Sequence, residues 1–174
     1  MTGHGTPDGP DGGGPDGGGP DDGRPGGEVY DWFVRGLGLL DSGNADAAAS
    51  LLAHAHEREP ESASILEALA RATFDAGRYT EAGRLFGELV ETTPDNDYAR
   101  FGLGLTRMRV GDVPGAVEQL ALATAMRPAR ADYQRALREA RATLRAREDA
   151  GLAPDEAPEW PARDDRHGSP ESSG

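Results

Sequence analysis

Small and apolar residues recur every 34 positions between residues 29 and 128, and no gap interrupts the spacing. Five columns share it: Gly43, Gly77 and Gly111; Ala48, Ala82 and Ala116; Leu52, Phe86 and Leu120; Ala55, Leu89 and Ala123; Pro60, Pro94 and Pro128. No segment alternates apolar and polar residues as a half-buried strand would. The pattern therefore predicts a repetitive, all-α protein.

Each unit divides at its glycine into two stretches of about 14 residues, and a proline follows the second stretch. A glycine just beyond a helix adopts the left-handed backbone conformation of a C-cap without strain, and a proline disfavours continuation of a helix. Asp112 is a candidate N-cap, and Pro114 falls in the first turn of the helix that follows it. The predicted helices span residues 29–42, 45–58, 63–76, 79–92, 97–110 and 113–126.

These spacings resemble the signature of the tetratricopeptide repeat family. The matching residues are Trp32, Gly36, Leu39, Ala48, Leu52, Ala55 and Pro60, then Leu66, Leu69, Ala70, Ala82, Phe86 and Pro94, then Leu103, Gly104, Ala116, Leu120, Ala123 and Pro128. The resemblance implies a right-handed α-solenoid of antiparallel helix pairs, with repeats at about 29–60, 63–94 and 97–128. The sequence departs from the family in the middle of the first helices, where Leu39, Thr73 and Arg107 replace the usual aromatic residue.

Small residues at positions 36, 70 and 104 are expected to let the two helices of each pair approach closely. We expect them to face the alanine column of the second helix, while the column of Leu52, Phe86 and Leu120 fills the space between successive pairs. The Gly-Leu-Gly segments at 36–38 and 102–104 lie inside predicted helices with no strand before them and no Lys. We therefore interpret them as packing contacts and not as phosphate loops.

A capping helix is predicted at about 131–148, where it would cover the last repeat. Its apolar stripe consists of Tyr133, Leu137, Ala140 and Leu144. A second stripe on the same helix consists of Arg138, Arg141 and Arg145. From Arg127 to Arg147, seven Arg stand against two acidic residues, so one end of an otherwise acidic solenoid is basic.

The resemblance places a partner in the concave groove lined by the first helix of each pair. By repeat phase, the groove residues are Tyr30, Phe33, Leu37, Leu40, Glu67, Arg71, Phe74, Tyr98, Phe101, Leu105 and Met108. Two apolar patches would flank a charged middle. Family members that grip chaperone C-termini clamp a carboxylate with Lys, Arg and Asn, but Phe33 and Leu37 occupy such places here. We therefore expect the partner to be an apolar or amphipathic peptide or helix of another protein.

The first helix is apolar almost all round, which is typical of a helix buried on every side. It is either packed within the solenoid or covered by a partner, by a second copy of the chain, or by the N-terminal arm. Homodimer formation through this helix is therefore the alternative to peptide binding.

The composition divides the 174 residues into unlike parts. Residues 1–27 hold 12 Gly, 5 Pro and 5 Asp, and residues 150–174 are acidic and rich in Pro, so both are predicted to be disordered arms flanking one domain at 28–149. The net charge of -13 argues against anionic membranes and nucleic acid as partners. Nucleic-acid contact through the Arg stripe of the capping helix is the weakest hypothesis.

Catalytic chemistry is not indicated. The chain has no Cys, and His54 and His56 stand two apart on a helix, so they point in different directions and cannot hold a metal together. No Ser has plausible His and Asp partners. We expect no enzyme activity, no cofactor and no metal site.

The cellular context is also suggested by composition. No signal sequence or membrane-spanning stretch is evident, which together with the absence of Cys favours a cytoplasmic location. All 18 basic residues are Arg, which with the abundant Ala and Gly suggests a GC-rich bacterial genome.

Trp160 is a lone aromatic residue in the acidic C-terminal arm. Lone aromatic residues in such segments often anchor binding. The sequence suggests that this arm folds back onto the groove or onto the Arg stripe and competes with a partner.

Overall fold

A computed structural model describes residues 27–151 as seven α-helices joined by short turns, with no strand in that range. The helices are α1 (Gly27–Asp41), α2 (Ala45–Arg58), α3 (Ala63–Asp75), α4 (Tyr79–Thr92), α5 (Asp97–Val110), α6 (Val113–Met126) and α7 (Ala131–Asp149). Each helix packs against the next, and α1, α3, α5 and α7 also touch one another in that order. The chain is therefore an all-α solenoid of helix pairs closed by α7, as the sequence predicts. The arms predicted at 1–27 and 150–174 lie outside the described residues, apart from Gly27, Ala150 and Gly151.

The turn inside each helix pair contains a glycine in the left-handed backbone region. The φ angle is 79° at Gly43, 76° at Gly77 and 92° at Gly111. A Cβ atom would strain the backbone there, so the recurrence of Gly every 34 residues reflects the recurrence of one helix C-cap. In the first turn the N–H of Asn44 donates to the carbonyl of Leu39 at 2.8 Å, which closes the end of α1.

The start of α6 confirms the N-cap predicted from the sequence. Asp112 Oδ1 accepts a hydrogen bond from the N–H of Gly115 at 3.0 Å, and Pro114 lies in the first turn. The other carboxylate oxygen of Asp112 lies 3.6 Å from Nη1 of Arg107. A Cβ on Gly115 would collide with both of these side chains, so Gly at 115 is part of the cap.

The predicted close approach within a helix pair is present, but the contact differs from the expectation. A Cβ built on Gly36 would lie 2.6 Å from Cγ of Leu52, and one on Gly104 would lie 2.6 Å from Cγ of Leu120. The glycines therefore accommodate the large residue of their own pair and not the alanine column. Sequence spacing alone could not show this, because it does not specify how the second helix is rotated about its axis.

Successive pairs meet at another glycine. The ring of Phe86 on α4 lies against Gly102 on α5, where a Cβ would overlap the ring. Phe86 thus fills the space between two pairs as expected. Gly38 differs from the other glycines of the two Gly-Leu-Gly segments, because a Cβ there would meet nothing within 4 Å.

Helix α7 covers the last pair through Tyr133, which is fully buried. Its ring stacks on Phe101 with 4.4 Å between the ring centroids, and its hydroxyl donates to Asp97 Oδ2 at 2.9 Å. Leu137 and Ala140 of the predicted apolar stripe are buried, whereas Leu144 is half-buried. The cap therefore combines an apolar contact with one partly buried hydrogen bond.

Asp97 should make folding stability sensitive to acid. Burial alone would raise the pKa of Asp97, but hydrogen bonds from Tyr133 and Arg127 outweigh it and hold the pKa below the ordinary value of 3.8. A carboxyl group with a depressed folded-state pKa stabilises the protein above its unfolded-state pKa, and this contribution is lost as the pH falls through the folded-state pKa. We expect Asp97→Asn to lower the free energy of unfolding by about 1 kcal/mol near neutral pH. The difference from the wild type should shrink below about pH 4.

Urea unfolding of both proteins across this pH range measures the effect. Asp95→Asn is the matched control, because Asp95 is an exposed carboxylate two residues earlier, in the loop just before α5. A gap between Asp97→Asn and the wild type that stays constant on acidification would contradict the role given to Asp97.

Candidate binding groove

The surface shared by α1, α3 and α5 contains a cavity of about 470 Å³, referred to below as the groove. Its lining residues are Phe33, Leu37, Ala63, Ser64, Glu67, Ala68, Arg71, Asn96 and Tyr98. Five of the residues expected to line a binding surface, Phe33, Leu37, Glu67, Arg71 and Tyr98, are thus brought together. They come from three different helix pairs, so the stacking of the repeats is what assembles them.

The floor of the groove has two charged side chains: Glu67, which is held in place, and Arg71, which can exchange its partners. Asn96 Nδ2 donates to Glu67 Oε2 at 2.7 Å, while Asn96 Oδ1 accepts from the N–H of Ala99 and caps α5. Both ends of the Asn96 amide are therefore engaged, which holds the Glu67 carboxylate in place. Arg71 lies 3.7 Å from Asp75 and 4.0 Å from Asp41, long ion pairs for a half-exposed side chain. Such pairs contribute little and can be exchanged for a ligand.

The apolar wall of the groove consists of Phe33 and Leu37 on α1 and Tyr98 on α5. All three are half-buried, and they pack on the core while leaving part of their surface open. Burial raises the pKa of the Tyr98 hydroxyl, so the ring presents a neutral face across the accessible pH range. The groove therefore offers apolar surface beside two opposite charges.

Other predicted groove residues lie around this cavity. Tyr30 is 62% exposed and lines a smaller cleft with Phe33 and Ile65. Phe74 packs edge-on against Tyr79 at 5.3 Å between the ring centroids. These two aromatic residues extend the apolar surface at opposite ends of the pair of helices α1 and α3.

The apolar patch predicted on the third pair is partly covered. Phe101 stacks on Tyr133, and Leu105 and Met108 pack beside the contact between α6 and α7. The two apolar patches expected from repeat phase are therefore unequal, and the one on α1 is the more open. The cause is α7, which occupies the place of a further first helix.

Leu40 is a correction to the predicted groove. It is only 6% exposed and belongs to the hydrophobic core. Very little of its side chain is therefore available to a partner. Repeat phase predicted its place on the groove side of α1, but there its side chain packs into the core.

Asn96 was missed by the sequence prediction. It lies in the loop between α4 and α5 and reaches the groove from there. Its position directly before a predicted helix was a usable signal, because Asn is a preferred N-cap residue whose amide still has a donor to offer.

The first helix is also less buried than its composition suggested. Val34 is 46% exposed, and Trp32 and Leu39 border a second, larger cleft between α1 and α2. Within residues 27–151 no other element covers this side of α1. Homodimer formation through α1 stays a prediction.

Arg138, Arg141 and Arg145 are exposed on α7, and a nucleic-acid contact there stays a prediction. Trp160 and the proposed fold-back of its arm lie outside the described residues. Over the range 27–151, no three His, Asp or Glu side chains converge as a metal site would require. None of the seven helices is both long enough and apolar enough to cross a membrane.

Comparison with known proteins identifies the repeat. Two family models, both described as tetratricopeptide repeat, match residues 33–97 and 73–140. No curated protein matches the chain.

Among similar solved structures is the first TPR of Spaghetti (RPAP3) bound to the HSP90 peptide SRMEEVD, at 15% identity and a TM-score of 0.64. The match covers 67% of this chain and 93% of that one. The Sgt2 TPR domain from Aspergillus fumigatus is similar at 19% identity and a TM-score of 0.67, covering 76% of this chain and 89% of that one.

A third similar structure is the C-terminal TPR-containing domain of a Plasmodium falciparum FK506-binding protein, at 16% identity and a TM-score of 0.65. It covers 70% of this chain and 91% of that one. At these identities the structural matches show the fold alone. The two family models together span residues 33–140, more than half of the sequence, and the chain therefore belongs to the tetratricopeptide repeat family.

Proposed function

We propose that the chain is a non-catalytic protein-interaction module that binds an apolar or amphipathic peptide or helix of another protein in the groove. The observation that supports this most directly is the meeting of Phe33, Leu37 and Tyr98 with Glu67 and Arg71 in one cavity. A groove with apolar walls and a few polar groups at fixed places is the usual form of a peptide site.

The charges indicate how a ligand would be oriented. Glu67 is held by Asn96 and offers a fixed acceptor for a ligand Lys, Arg or backbone N–H. Arg71 can leave its long contacts with Asp41 and Asp75 to meet a ligand carboxylate or carbonyl. An amphipathic segment would place its apolar side against Phe33 and Leu37 and its polar side over α3.

A carboxylate clamp of the chaperone-binding kind does not fit this groove. Phe33 and Leu37 stand where such a clamp has polar residues, and the amide of Asn96 is already engaged at both ends. The similar RPAP3 domain binds the peptide SRMEEVD, so this peptide is a suitable negative probe for the present chain.

Selection from a phage-displayed peptide library on the immobilised full chain tests the proposal. Ser64→Arg should lower the affinity of the selected peptides about tenfold or more, because it fills the exposed edge of the groove. Thr80→Arg is the matched control: both residues are the second of their helix, and both are exposed.

The peptide SRMEEVD should bind at least about tenfold more weakly than the selected peptides. If the selected peptides bind Ser64→Arg and Thr80→Arg equally well, their binding site is not the groove. Tight binding of SRMEEVD would instead contradict the absence of a carboxylate clamp.

A further inference from the structure

The side of the first helix pair opposite α3 contains a cleft of about 840 Å³, referred to below as the end cleft. Its lining residues are Trp32, Arg35, Gly38 and Leu39 on α1, and Ala47, Ser50, Leu51 and His54 on α2. It lies on a different face of α1 from the groove residues Phe33 and Leu37. Most of its surface is apolar or small, and Arg35 is the charged exception.

The internal repeat shows what this surface is equivalent to. Residues 34 positions after Trp32 and Leu39 are Leu66 and Thr73 of α3, which are 3% and 0% exposed. Helix α3 differs from α1 in that a preceding second helix, α2, packs against it. Leu69 and Leu103, which follow Arg35 at the same spacing of 34, are 6% and 5% exposed. The end cleft is therefore the surface that the second helix of a preceding pair would cover.

We propose that the end cleft binds an amphipathic helix of another protein, which takes the place of a preceding second helix. The proposed helix has a stripe of small apolar residues and acidic residues at its edge. This site is separate from the groove and does not depend on the function proposed for it.

The flanking segments of the chain are poor candidates for this helix. Residues 1–26 contain Met1 as their only residue with a sizeable apolar side chain, and the remainder is largely Gly, Pro and Asp. Residues 152–174 contain Pro154, Pro158 and Pro161, which interrupt any helix as long as the 14 residues of α2. Neither segment can supply an apolar stripe of the required length.

A second copy of the chain also fits poorly. The second helices α2, α4 and α6 are already covered by α3, α5 and α7, so a second copy has no free second helix to insert. Pairing of two end clefts would bring Arg35 and Arg58 of each chain together, and both chains carry a net charge of -13. The arrangement favours a helix from a different protein.

The internal repeat indicates how large the residue of the bound helix that contacts α1 should be. Phe86 of α4 lies against Gly102 of α5. The residues at the place of Gly102 in the two earlier pairs are Ala68 and Val34, which are progressively larger. By this progression, Val34 favours a small residue such as Ala on the incoming helix.

The charged residues at the edge of the end cleft indicate which charge the bound helix should carry. Arg35 makes no ion pair with any of residues 27–151, and Arg58 lies 5.8 Å from the ring centroid of Trp32. Two cations at the edge of an apolar cleft favour acidic residues on the bound helix.

Two cross-linked helical peptides serve as probes, and the cross-link reduces the cost of ordering them. Both peptides have the sequence of α2, Ala45–Arg58, and both carry L52A. The acidic probe also carries H54E and R58E. The basic probe instead carries H54K and E57K. The receptor is the full chain with Trp160→Phe, in which Trp32 is the only Trp. We expect a saturable blue shift of Trp32 fluorescence, with the acidic probe binding about fivefold more tightly at low salt and this preference shrinking at high salt.

Gly38→Glu and Gly87→Glu form the matched pair of variants. Each residue lies in a helix, and a Cβ at either position meets nothing within 4 Å, so both variants should fold. Gly38→Glu places a charged side chain in the end cleft and should weaken the acidic probe about tenfold or more, whereas Gly87→Glu should leave its affinity unchanged.

Absence of a saturable shift, or equal effects of the two glycine variants, would overturn the proposal. A wild-type dimer in light scattering that Gly38→Glu converts to a monomer would assign the end cleft to a second copy instead. A fluorescently labelled acidic probe can be compared on the wild type and on Trp160→Phe by anisotropy. If the probe binds Trp160→Phe more tightly, the end cleft would be assigned to the C-terminal arm.

Discussion

Tyr133→Ala is expected to lower the free energy of unfolding by about 3–5 kcal/mol, the usual cost of truncating a fully buried aromatic residue to alanine. Tyr133 is 0% exposed, stacks on Phe101 and donates its hydroxyl hydrogen to Asp97. The truncation leaves a cavity between α5 and α7 and removes one of the two hydrogen bonds that side chains donate to the Asp97 carboxylate. Chemical denaturation followed by far-ultraviolet circular dichroism measures the loss.

Tyr133→Phe separates the two contributions. It keeps the stacked ring and removes only the hydroxyl, so we expect it to cost about 1 kcal/mol. A cost for Tyr133→Ala no greater than that of Tyr133→Phe would mean that α7 is held by its other contacts, and the cap described for this end of the solenoid would be wrong.

Gly104→Ala and Gly87→Ala are expected to change stability in opposite directions. A Cβ on Gly104 would lie 2.6 Å from Cγ of Leu120 and 3.2 Å from its backbone nitrogen, and Leu120 is fully buried. Neither group can move away without displacing α6, so we expect a loss of about 2 kcal/mol. Gly87 has nothing within 4 Å of such an atom, so replacement there should add about 0.5–1 kcal/mol through helix propensity alone.

The same denaturation experiment measures both variants. The opposite signs make the comparison independent of the absolute stability of the solenoid, since both changes are Gly to Ala inside a helix. An increase in stability for both variants would show that α5 and α6 are not packed as closely as the structure places them.

The proposed binding surfaces differ in how they depend on these packing contacts. The groove needs α1, α3 and α5 in order, because Leu37, Arg71 and Tyr98 come from three pairs. The end cleft needs only α1 and α2. Loosening α7 through Tyr133→Ala should therefore leave probe binding at the end cleft intact.

Repeat phase predicted the helices and their turns because these depend on local chemistry. The left-handed turns at Gly43, Gly77 and Gly111, and the N-cap at Asp112, each involve only a few neighbouring residues. A glycine that relieves φ or a carboxylate that accepts a backbone N–H acts in the same way wherever it occurs. The period of 34 could therefore be converted directly into helix pairs.

Phase was less informative about the binding surface. It placed Phe33, Leu37, Glu67, Arg71 and Tyr98 on one side of the first helices, and the structure shows them around one cavity. It also assigned Leu40 to that side, where the core buries it. A position in a repeat specifies an angle around the helix but not which neighbours cover that angle.

By itself the sequence determined the all-α class, the number of helices, the turns and the family, because spacing and backbone chemistry are local and repeat three times. Only the tertiary structure decided which face each helix turns inward, that Gly36 and Gly104 receive leucines, that α7 covers Phe101, and that the outer side of α1 is left open. These depend on side-chain volumes from distant positions competing for the same space. The outcome of this competition depends on the packing of the whole solenoid, so the sequence of a single repeat is not sufficient to predict it.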